Sequence, residues 1–180
     1  MAGTLHGMEA LLIGGRSGVG KSTVGWEVSA RLRAAAVAHA IVEGDFMGQV
    51  HPAPPGDPDR AAITERNLAA VWANFAAVGC RRLVYTNTAS VLPRATGMVE
   101  RAMGSGVRIV RILLTASDAT ATARLTGREL GSELADGLAS STRMSRRLAD
   151  LAVAGTVRVA TDGRSVPDIA REVTALTGWV

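Results

Sequence analysis

A glycine-rich segment near the amino terminus constrains the fold more than any other feature of this 180-residue sequence. It follows a mostly apolar run, Met8 to Ile13, and it precedes a stretch in which Val24, Val28 and Leu32 recur every four residues. The first pattern predicts a strand, and the second predicts a helix over 21–34. A strand, a glycine loop and a helix in direct succession are typical of the first unit of an alternating α/β fold.

The glycine-rich segment matches the pattern G-x-x-x-x-G-K-[ST] at every fixed position. Its glycines let backbone N–H groups converge on an anion at the start of a helix, which makes a phosphate-binding loop, or P-loop. The lysine of this pattern reaches the β- and γ-phosphates, and the hydroxyl after it coordinates Mg²⁺. We therefore predict ATP and Mg²⁺ as ligands, with Lys21 also catalytic and Ser22 a metal ligand. The predicted nucleotide-binding residues here are Gly15, Arg16, Ser17, Gly18, Val19, Gly20, Lys21, Ser22 and Thr23.

The rest of the chain alternates between predicted strands and helices. Further strands are expected at 41–43, 82–86, 107–114 and 157–160, and further helices at 60–78, 94–103, 119–129, 133–153 and 166–176, with an N-cap at Asp118 and a break near Gly137. One apolar stripe is expected on the 60–78 helix, formed by Leu68, Val71, Trp72, Phe75 and Val78. The order of elements predicts a single α/β domain over 1–180, with the three-layer P-loop NTPase fold, a five-stranded parallel sheet and helices on both faces.

Composition excludes several other classes of protein. The six aromatic residues are too few for an evident base-stacking platform, and the 19 arginines are scattered, so the net charge of +4 does not indicate a nucleic-acid partner. A single cysteine, Cys80, excludes an internal disulfide and favours a reducing, cytoplasmic setting. No apolar run is long enough to cross a bilayer, and the amino terminus lacks the basic region of a secretory signal.

Two large classes of P-loop protein also disagree with the sequence. A guanine-specific GTPase would offer an N-K-x-D motif, and this motif requires a second lysine, whereas Lys21 is the only one. A AAA-type ATPase requires a longer chain and a carboxylate at the end of a strand. Here the third predicted strand runs into Tyr85, Thr86, Asn87 and Thr88, none of which is acidic. The sequence therefore favours a small P-loop protein of another kind.

The chain resembles the small P-loop kinases related to nucleoside monophosphate kinases, and most of all gluconate kinases, adenylylsulfate kinases and chloramphenicol phosphotransferase. In those families the second strand ends in an acidic motif, and Glu43-Gly44-Asp45 stands at that place here. The resemblance implies transfer of the γ-phosphoryl group of ATP to a small-molecule acceptor. It also implies that Asp45 takes the proton of the acceptor hydroxyl or holds Mg²⁺ through water. The lysine and the metal would keep this carboxylate ionised.

The same families carry an R-x-x-x-R pattern on the helix after the fourth strand, and Arg124 and Arg128 match it. The resemblance implies that Arg124 stacks near the adenine and that Arg128 reaches the phosphates as a catalytic residue. The turn after the fifth strand, which contains Gly163, is expected beside the adenine base. A lid is expected over 128–145, and three arginines on its helix are candidates to approach the transferring phosphate, the first being preferred: Arg143, Arg146 and Arg147.

The acceptor site is predicted from topology, because ligands of open α/β sheets lie beyond the carboxyl ends of the strands. This places the acceptor near a proline-rich loop at 44–60 and near Arg66, Thr86 and Asn87. No acceptor signature of monophosphate kinases is present, which favours a hydroxyl of a metabolite or antibiotic. A nucleoside or nucleotide kinase, an ATP-binding regulatory or resistance protein with little turnover, and a nucleic-acid end kinase are the alternatives. The oligomeric state is left open, a homodimer included.

Overall fold

The computed structural model describes residues 7–127 and 134–180. One sheet contains β1 (Glu9–Gly14), β2 (Ala40–Glu43), β3 (Arg82–Thr86), β4 (Arg108–Thr115) and β5 (Val157–Ala160). The helices are α1 (Lys21–Ala34), α2 (Ala61–Ala77), α3 (Pro93–Met103), α4 (Asp118–Thr126), α5 (Leu134–Leu151) and α6 (Val166–Thr177), and a 3₁₀ turn spans Gly44–Phe46. In these ranges no helix is both long enough and apolar enough to span a membrane.

All strand pairings are parallel, and the strand order is β2-β3-β1-β4-β5. The predicted five-stranded parallel sheet is therefore confirmed. Because β1 lies between β3 and β4, the chain continues to opposite sides of β1, and a crevice forms where the strands end. The register pairs Thr86 with both Ile13 and Glu43, so the ends of the first three strands lie side by side.

The two faces of β1 explain why its sequence is apolar without alternation. Leu11 and Ile13 are fully buried in one core cluster with residues of α1 and α6. Ala10 and Leu12 are fully buried in a second cluster with residues of α2 and α3. Successive side chains of a strand point to opposite faces, so a strand covered on both sides must be apolar throughout.

The helical stripes predicted on α1 and α2 are largely found. The three α1 residues of the predicted stripe are buried in the first cluster. On α2, Leu68 and Trp72 are buried, but Val78 is 83% exposed, so its inclusion in the stripe was wrong. The helix ends at Ala77, and Val78 is only its C-cap residue, turned away from the core.

Two predicted helix features are also wrong. Ser117, rather than Asp118, is the N-cap of α4, because the Ser117 side chain accepts a hydrogen bond from the Thr120 N–H. Asp118 is the first residue of the helix, where its negative charge interacts favourably with the positive end of the helix dipole. The predicted break near Gly137 is absent, since α5 is continuous from Leu134 to Leu151. An internal glycine costs a helix only about 1 kcal/mol, and tertiary packing readily offsets that cost.

A buried carboxylate, Glu9, joins the start of β1 to the carboxyl-terminal segment of the chain. It lies at the end of the sheet opposite to the carboxyl ends of the strands. Glu9 is 9% exposed, lies 3.2 Å from Arg82 Nε, and accepts hydrogen bonds from Arg108 Nε at 2.7 Å and Trp179 Nε1 at 3.0 Å. Burial acts to raise the pKa of Glu9, but the hydrogen bonds from Trp179 and Arg108 and the charges of Arg108 and Arg82 together hold it below its usual value.

We expect Glu9→Gln to lower the free energy of unfolding near neutral pH by about 1–3 kcal/mol, because the charge-assisted hydrogen bonds are lost. The folded-state pKa is depressed, so this stabilisation is present above the unfolded-state pKa and disappears as the pH falls through the folded-state pKa. Urea unfolding at about pH 7 and about pH 3 should therefore show a difference between variant and wild type that narrows in acid. Glu27→Gln on α1 is the control, and an equal difference at both pH values would contradict this account.

Candidate active site

The loop between β1 and α1 is shaped by close packing and by free backbone donors. Gly18 has a φ of +86°, and a Cβ atom there would lie 2.6 Å from the carbonyl oxygen of Ala121 in α4. Only glycine therefore lets α4 pack against this loop. Within residues 7–127 and 134–180, the N–H groups of Ser17, Gly18, Gly20 and Ser22 have no hydrogen-bond acceptor. Such donors, at the start of a helix, fit the oxygen atoms of a polyphosphate.

The lysine of the motif lies between this loop and the acidic motif that follows β2. Lys21 is only 8% exposed, and its ammonium donates a hydrogen bond to the Arg16 carbonyl oxygen at 3.4 Å. Its Nζ atom also lies 4.0 Å from Oδ2 of Asp45. The structure thus brings together two of the three predicted catalytic residues, Lys21 and Asp45, although 24 positions separate them in the sequence.

The Asp45 carboxylate is held in place from the end of β3. Its Oδ1 atom accepts hydrogen bonds from Asn87 Nδ2 at 2.8 Å and from the Thr88 N–H at 3.0 Å. The 3₁₀ turn that carries Asp45 lies directly against Tyr85, since a Cβ atom on Gly44 would be 2.1 Å from the tyrosine hydroxyl oxygen. Glycine at position 44 is therefore required for Asp45 to reach this place.

A second carboxylate of the site was not among the predicted site residues. Glu43 ends β2, and its two oxygens accept hydrogen bonds from Ser22 Oγ at 2.8 Å and from Trp26 Nε1 at 2.6 Å. Ser22 and Trp26 are four residues apart on α1 and share one face of the helix. The acidic motif could have indicated Glu43, because it offers two carboxylates, of which only Asp45 was predicted as a site residue.

The oxygen atoms assembled here fit a magnesium ion. Mg²⁺ prefers oxygen ligands and is usually held by one or two carboxylates, waters and substrate phosphates. The hydroxyl of Ser22 and the carboxylates of Glu43 and Asp45 supply such a donor set beside Lys21. In the described part of the chain no group of three or more His, Cys, Asp or Glu side chains forms a complete metal site.

Arg16 is a P-loop residue whose side chain points away from the loop. It is 3% exposed, donates from Nε to Ser141 Oγ at 2.9 Å, and pairs with Asp118 at the start of α4. Ser141 in turn donates to the Ser17 carbonyl oxygen at 3.1 Å. These contacts tie α5, which includes part of the predicted lid, to the P-loop. We call Arg16, Ser17, Asp118 and Ser141 the α5 link.

Replacing Arg16 should loosen α5 from the P-loop. We expect Arg16→Gln to lower the free energy of unfolding by about 1–3 kcal/mol, because the buried Ser141 hydroxyl loses a charged partner. Amide hydrogen exchange should accelerate in α5 and less in β1, since α5 loses a direct contact. Arg171→Gln, on the exposed side of α6, is the control. Unchanged exchange in α5 would show that the α5 link does not hold this helix.

Arg124 lies between the P-loop and the turn after β5. Its Nη1 atom donates to the carbonyl oxygens of Gly18 and Val19, each at 3.4 Å, and to Thr161 Oγ1 at 3.1 Å, while Nη2 donates to the Thr161 carbonyl oxygen at 3.3 Å. Arg124 thus joins the P-loop to Thr161, two positions before Gly163, and the predicted place of Arg124 and Gly163 beside the adenine stays a prediction. Its partner in the R-x-x-x-R pattern, Arg128, lies outside the described residues.

The turn after β5 is also fixed to the start of α4. Asp162 accepts hydrogen bonds from the Ser117 hydroxyl at 2.8 Å and the Ser117 N–H at 3.0 Å. Hydrogen bonds from Thr120 and Ser117 hold the pKa of Asp162 below its usual value, so the carboxylate stays charged near neutral pH. Gly163 follows with a φ of +64°, which allows the tight turn.

A cavity of about 690 Å³ opens beside the Asp45 carboxylate, between α2, α3 and the carboxyl-terminal part of α5. Asn87, which donates to Asp45, forms part of its wall. Tyr85 also lines the cavity, and within the described residues its buried hydroxyl has no hydrogen-bond partner. Burial and then the charge of Asp45 raise the pKa of Tyr85, so the phenol stays neutral.

Several residues predicted for the acceptor site or the lid do not line this cavity. Thr86 is 2% exposed and packs against Gly25 of α1, because alternation along β3 turns it away from the cavity that Tyr85 faces. Arg66 and Arg143 are exposed and do not line the cavity in the described ranges; Glu65, one position earlier, and Arg147, one helical turn later, do. Asn87 is the one predicted acceptor residue that the described structure places in the wall.

We expect Tyr85→Phe to be tolerated or stabilising, by about 1 kcal/mol, because it removes a buried hydroxyl that has no partner in the described structure. A change that destabilised the protein by more than that would show that the hydroxyl makes a hydrogen bond. Urea unfolding with a matched aromatic control, Phe75→Leu on α2, measures the effect. The control should destabilise, because it deletes apolar contacts of the second core cluster.

The fold and this site define an α/β P-loop protein of the architecture found in small-molecule kinases. The structure is similar to that of a gluconokinase from Sinorhizobium meliloti 1021, with a TM-score of 0.63 and 20% identity over 94% of this chain and 91% of the other. It is similar to the Deinococcus radiodurans tunicamycin resistance protein, with a TM-score of 0.64 and 18% identity over 95% and 96%. The Mycobacterium tuberculosis APS kinase CysC, solved with AMPPNP and APS, gives a TM-score of 0.58 and 17% identity over 94% and 96%.

These likenesses confirm the predicted P-loop kinase-like fold. No protein-family model and no curated protein matches the sequence.

Proposed function

We propose that this protein is an ATP-dependent phosphotransferase that moves the γ-phosphoryl group of ATP to a hydroxyl of a small-molecule acceptor. The observation that carries this proposal is the position of Asp45. Its carboxylate lies 4.0 Å from Lys21 Nζ on the P-loop side and is hydrogen-bonded to Asn87, which lines the cavity. One carboxylate thus stands between a phosphate-binding loop and space for a second substrate. The single cysteine, Cys80, agrees with action in the cytoplasm.

In this mechanism the chain's own groups position the two substrates and manage charge. The free N–H groups of the P-loop and the Lys21 ammonium bind the phosphates and stabilise the charge that develops during transfer. Asp45 orients the acceptor hydroxyl and accepts its proton as the oxygen attacks the γ-phosphorus and ADP leaves. Arg124 and the turn at Gly163 border the adenine, and Arg128 is proposed to reach the phosphates, as the family resemblance implies. Arg143 is proposed to act from the lid by approaching the transferring phosphate.

Ser22, Glu43 and Asp45 would hold Mg²⁺, directly or through water. When bound, the ion neutralises negative charge on the phosphate oxygens. Glu43 orients the Ser22 hydroxyl by a hydrogen bond of 2.8 Å, and Trp26 fixes the other oxygen of the same carboxylate. Glu43 therefore acts as a positioning residue for this metal ligand, a role that the sequence pattern alone did not assign.

An ADP-release assay with a panel of hydroxylated compounds tests the proposal. With Mg²⁺ and ATP, an acceptor should raise ADP release well above the rate without acceptor, and ³¹P NMR should detect a phosphorylated product. Exclusion of water from the closed site predicts that hydrolysis without acceptor is slow. Tight ATP binding with no transfer to any compound would instead favour the ATP-binding regulatory or resistance protein. Transfer confined to nucleosides or nucleotides would favour the nucleotide-kinase alternative.

A further inference from the structure

The cavity beside Asp45 contains arginines whose charges the chain itself already neutralises. Arg101 donates from Nε and Nη2 to the two carboxylate oxygens of Glu65, each at 2.7 Å. Arg94 likewise forms an ion pair with Asp59. All four side chains line the cavity. The hydrogen bond from Arg101 holds the pKa of Glu65 below its usual value, so this carboxylate remains ionised.

These pairs oppose the binding of an anionic acceptor. An arginine recognises a carboxylate or phosphate best with two parallel N–H donors, and in Arg101 both donors of that edge already engage Glu65. A negatively charged acceptor would have to displace Glu65 or Asp59, and the displaced carboxylate would then repel it. The four side chains are partly exposed, so the discrimination is modest, on the order of tenfold, as for ion pairs near solvent.

The third arginine of the wall is Arg147, which projects from α5. It lines the cavity directly, so its charge attracts an anionic acceptor. Because Arg147 is exposed, solvent and salt weaken this attraction.

The remaining wall is largely uncharged and apolar. A volume of about 690 Å³ lies within the range of sites that enclose drug-sized ligands, roughly 300–1,000 Å³. The Asn87 amide provides an uncharged polar group near Asp45, while the Tyr85 ring lines the wall with its hydroxyl buried. Apolar side chains cover much of the rest, namely Ala61, Ala62, Leu92, Pro93, Met98 and Leu151.

We infer that the acceptor is an uncharged, hydroxylated compound with a substantial apolar part, and that Glu65 and Asp59 exclude carboxylated and phosphorylated compounds from this cavity. To call the bound compound an acceptor rests on the proposed function. The predicted binding preference of the cavity does not require turnover. It narrows the open class of small-molecule hydroxyls to one kind of molecule and assigns a specificity role to two carboxylates outside the P-loop region.

Matched probes test charge and apolar character separately, using the whole 180-residue chain without ATP. Octyl β-D-glucoside and octyl β-D-glucuronide differ in one group, a hydroxymethyl or a carboxylate, and glucose lacks the octyl chain. Saturation-transfer NMR below the micelle concentration should show the glucoside binding about tenfold more tightly than the glucuronide, which corresponds to about 1.4 kcal/mol. Glucose should bind more weakly than the glucoside, because it buries no apolar chain.

Variants identify the cavity and the two carboxylates as the cause. Glu65→Gln and Asp59→Asn should each raise the affinity for the glucuronide severalfold, up to about tenfold, and change glucoside binding less. Ala62→Trp, which adds a large side chain at the wall, should abolish glucoside binding, and Arg171→Gln should leave both affinities unchanged. Equal or preferred binding of the glucuronide by the wild type would overturn the inference. So would unchanged ratios in both carboxylate variants, or no glucoside binding at about 1 mM.

The outcome can be separated from that of the proposed function. If the coupled assay finds an anionic compound to be the phosphorylated acceptor, the inference fails while phosphotransfer stands. If neutral amphipathic compounds bind in the cavity as predicted but no compound is ever phosphorylated, the proposed function fails while the preference of the cavity stands.

Discussion

Lys21→Met should reduce the rate of phosphoryl transfer by about 10²–10³, the loss typical of removing one donor that stabilises transition-state charge. The ammonium is nearly buried, contacts the Arg16 carbonyl and faces Asp45, so its charge acts in a place where water does not replace it. Methionine has a similar length and fills irregular space well, so the fold should persist. Calorimetry with Mg²⁺ and an ATP analogue should also show weaker nucleotide binding.

Two controls make this result specific. Arg171→Met removes a positive charge from the exposed side of α6 and should leave both transfer and nucleotide binding unchanged. Lys21→Arg keeps the charge but replaces a point charge with a planar fork, so it should restore little activity. If Lys21→Met bound nucleotide and transferred phosphate like the wild type, the assignment of the P-loop as the catalytic phosphate site would be wrong.

Asp45→Asn should lower kcat by about 10²–10⁴ while ATP affinity changes little, because a general base contributes to the transfer step rather than to nucleotide binding. The substitution is nearly isosteric, and the amide oxygen can still accept the hydrogen bond from the Thr88 N–H. It cannot accept a proton from the acceptor hydroxyl. In this variant, single-turnover measurements should therefore show slow phosphoryl transfer, and nucleotide titration should show an ATP affinity close to that of the wild type.

The matched control for this change is Asp150→Asn, an exposed carboxylate on α5. It should retain full transfer activity. A loss of ATP affinity in Asp45→Asn as large as the loss in kcat would show that Asp45 acts mainly by holding Mg²⁺ and contradict its role as the base. A variant with wild-type kcat would remove Asp45 from the mechanism altogether.

Local patterns were sufficient to predict most of the fold. The apolar run of β1 and the apolar end of β4 at 112–114 reflect strand segments covered on both faces, and the spacing in α1 reflects one buried face. The prediction failed at the N-cap of α4 and at the expected break in α5. The Ser117 cap and the continuous α5 depend on side-chain competition and on packing, which periodicity does not report.

The site was predictable only where a motif dictates backbone shape or strand ends bring residues together. Lys21, Asp45 and Asn87 lie near one another because parallel strands end at one edge of the sheet. The catalytic roles of Lys21 and Asp45 and the acceptor role of Asn87 stay predictions. The contact between Arg16 and Ser141 joins residues 125 positions apart, and the motif leaves the residue at position 16 unspecified. Alternation places Tyr85 and Thr86 on opposite faces of β3, but the packing of α1 on one face and of α2 and α3 on the other decides which of them faces the cavity, and no local pattern encodes this packing.

The α5 link has a consequence for how the two substrates influence each other. Helix α5 contributes Leu151 to the wall of the cavity and, through Ser141, contacts the Ser17 carbonyl in the P-loop. In the proposed mechanism, a nucleotide that reshapes the P-loop would also change the free energy of the cavity wall through α5. By thermodynamic reciprocity, whatever synergy or antagonism ATP exerts on acceptor affinity, the acceptor must exert to the same degree on ATP.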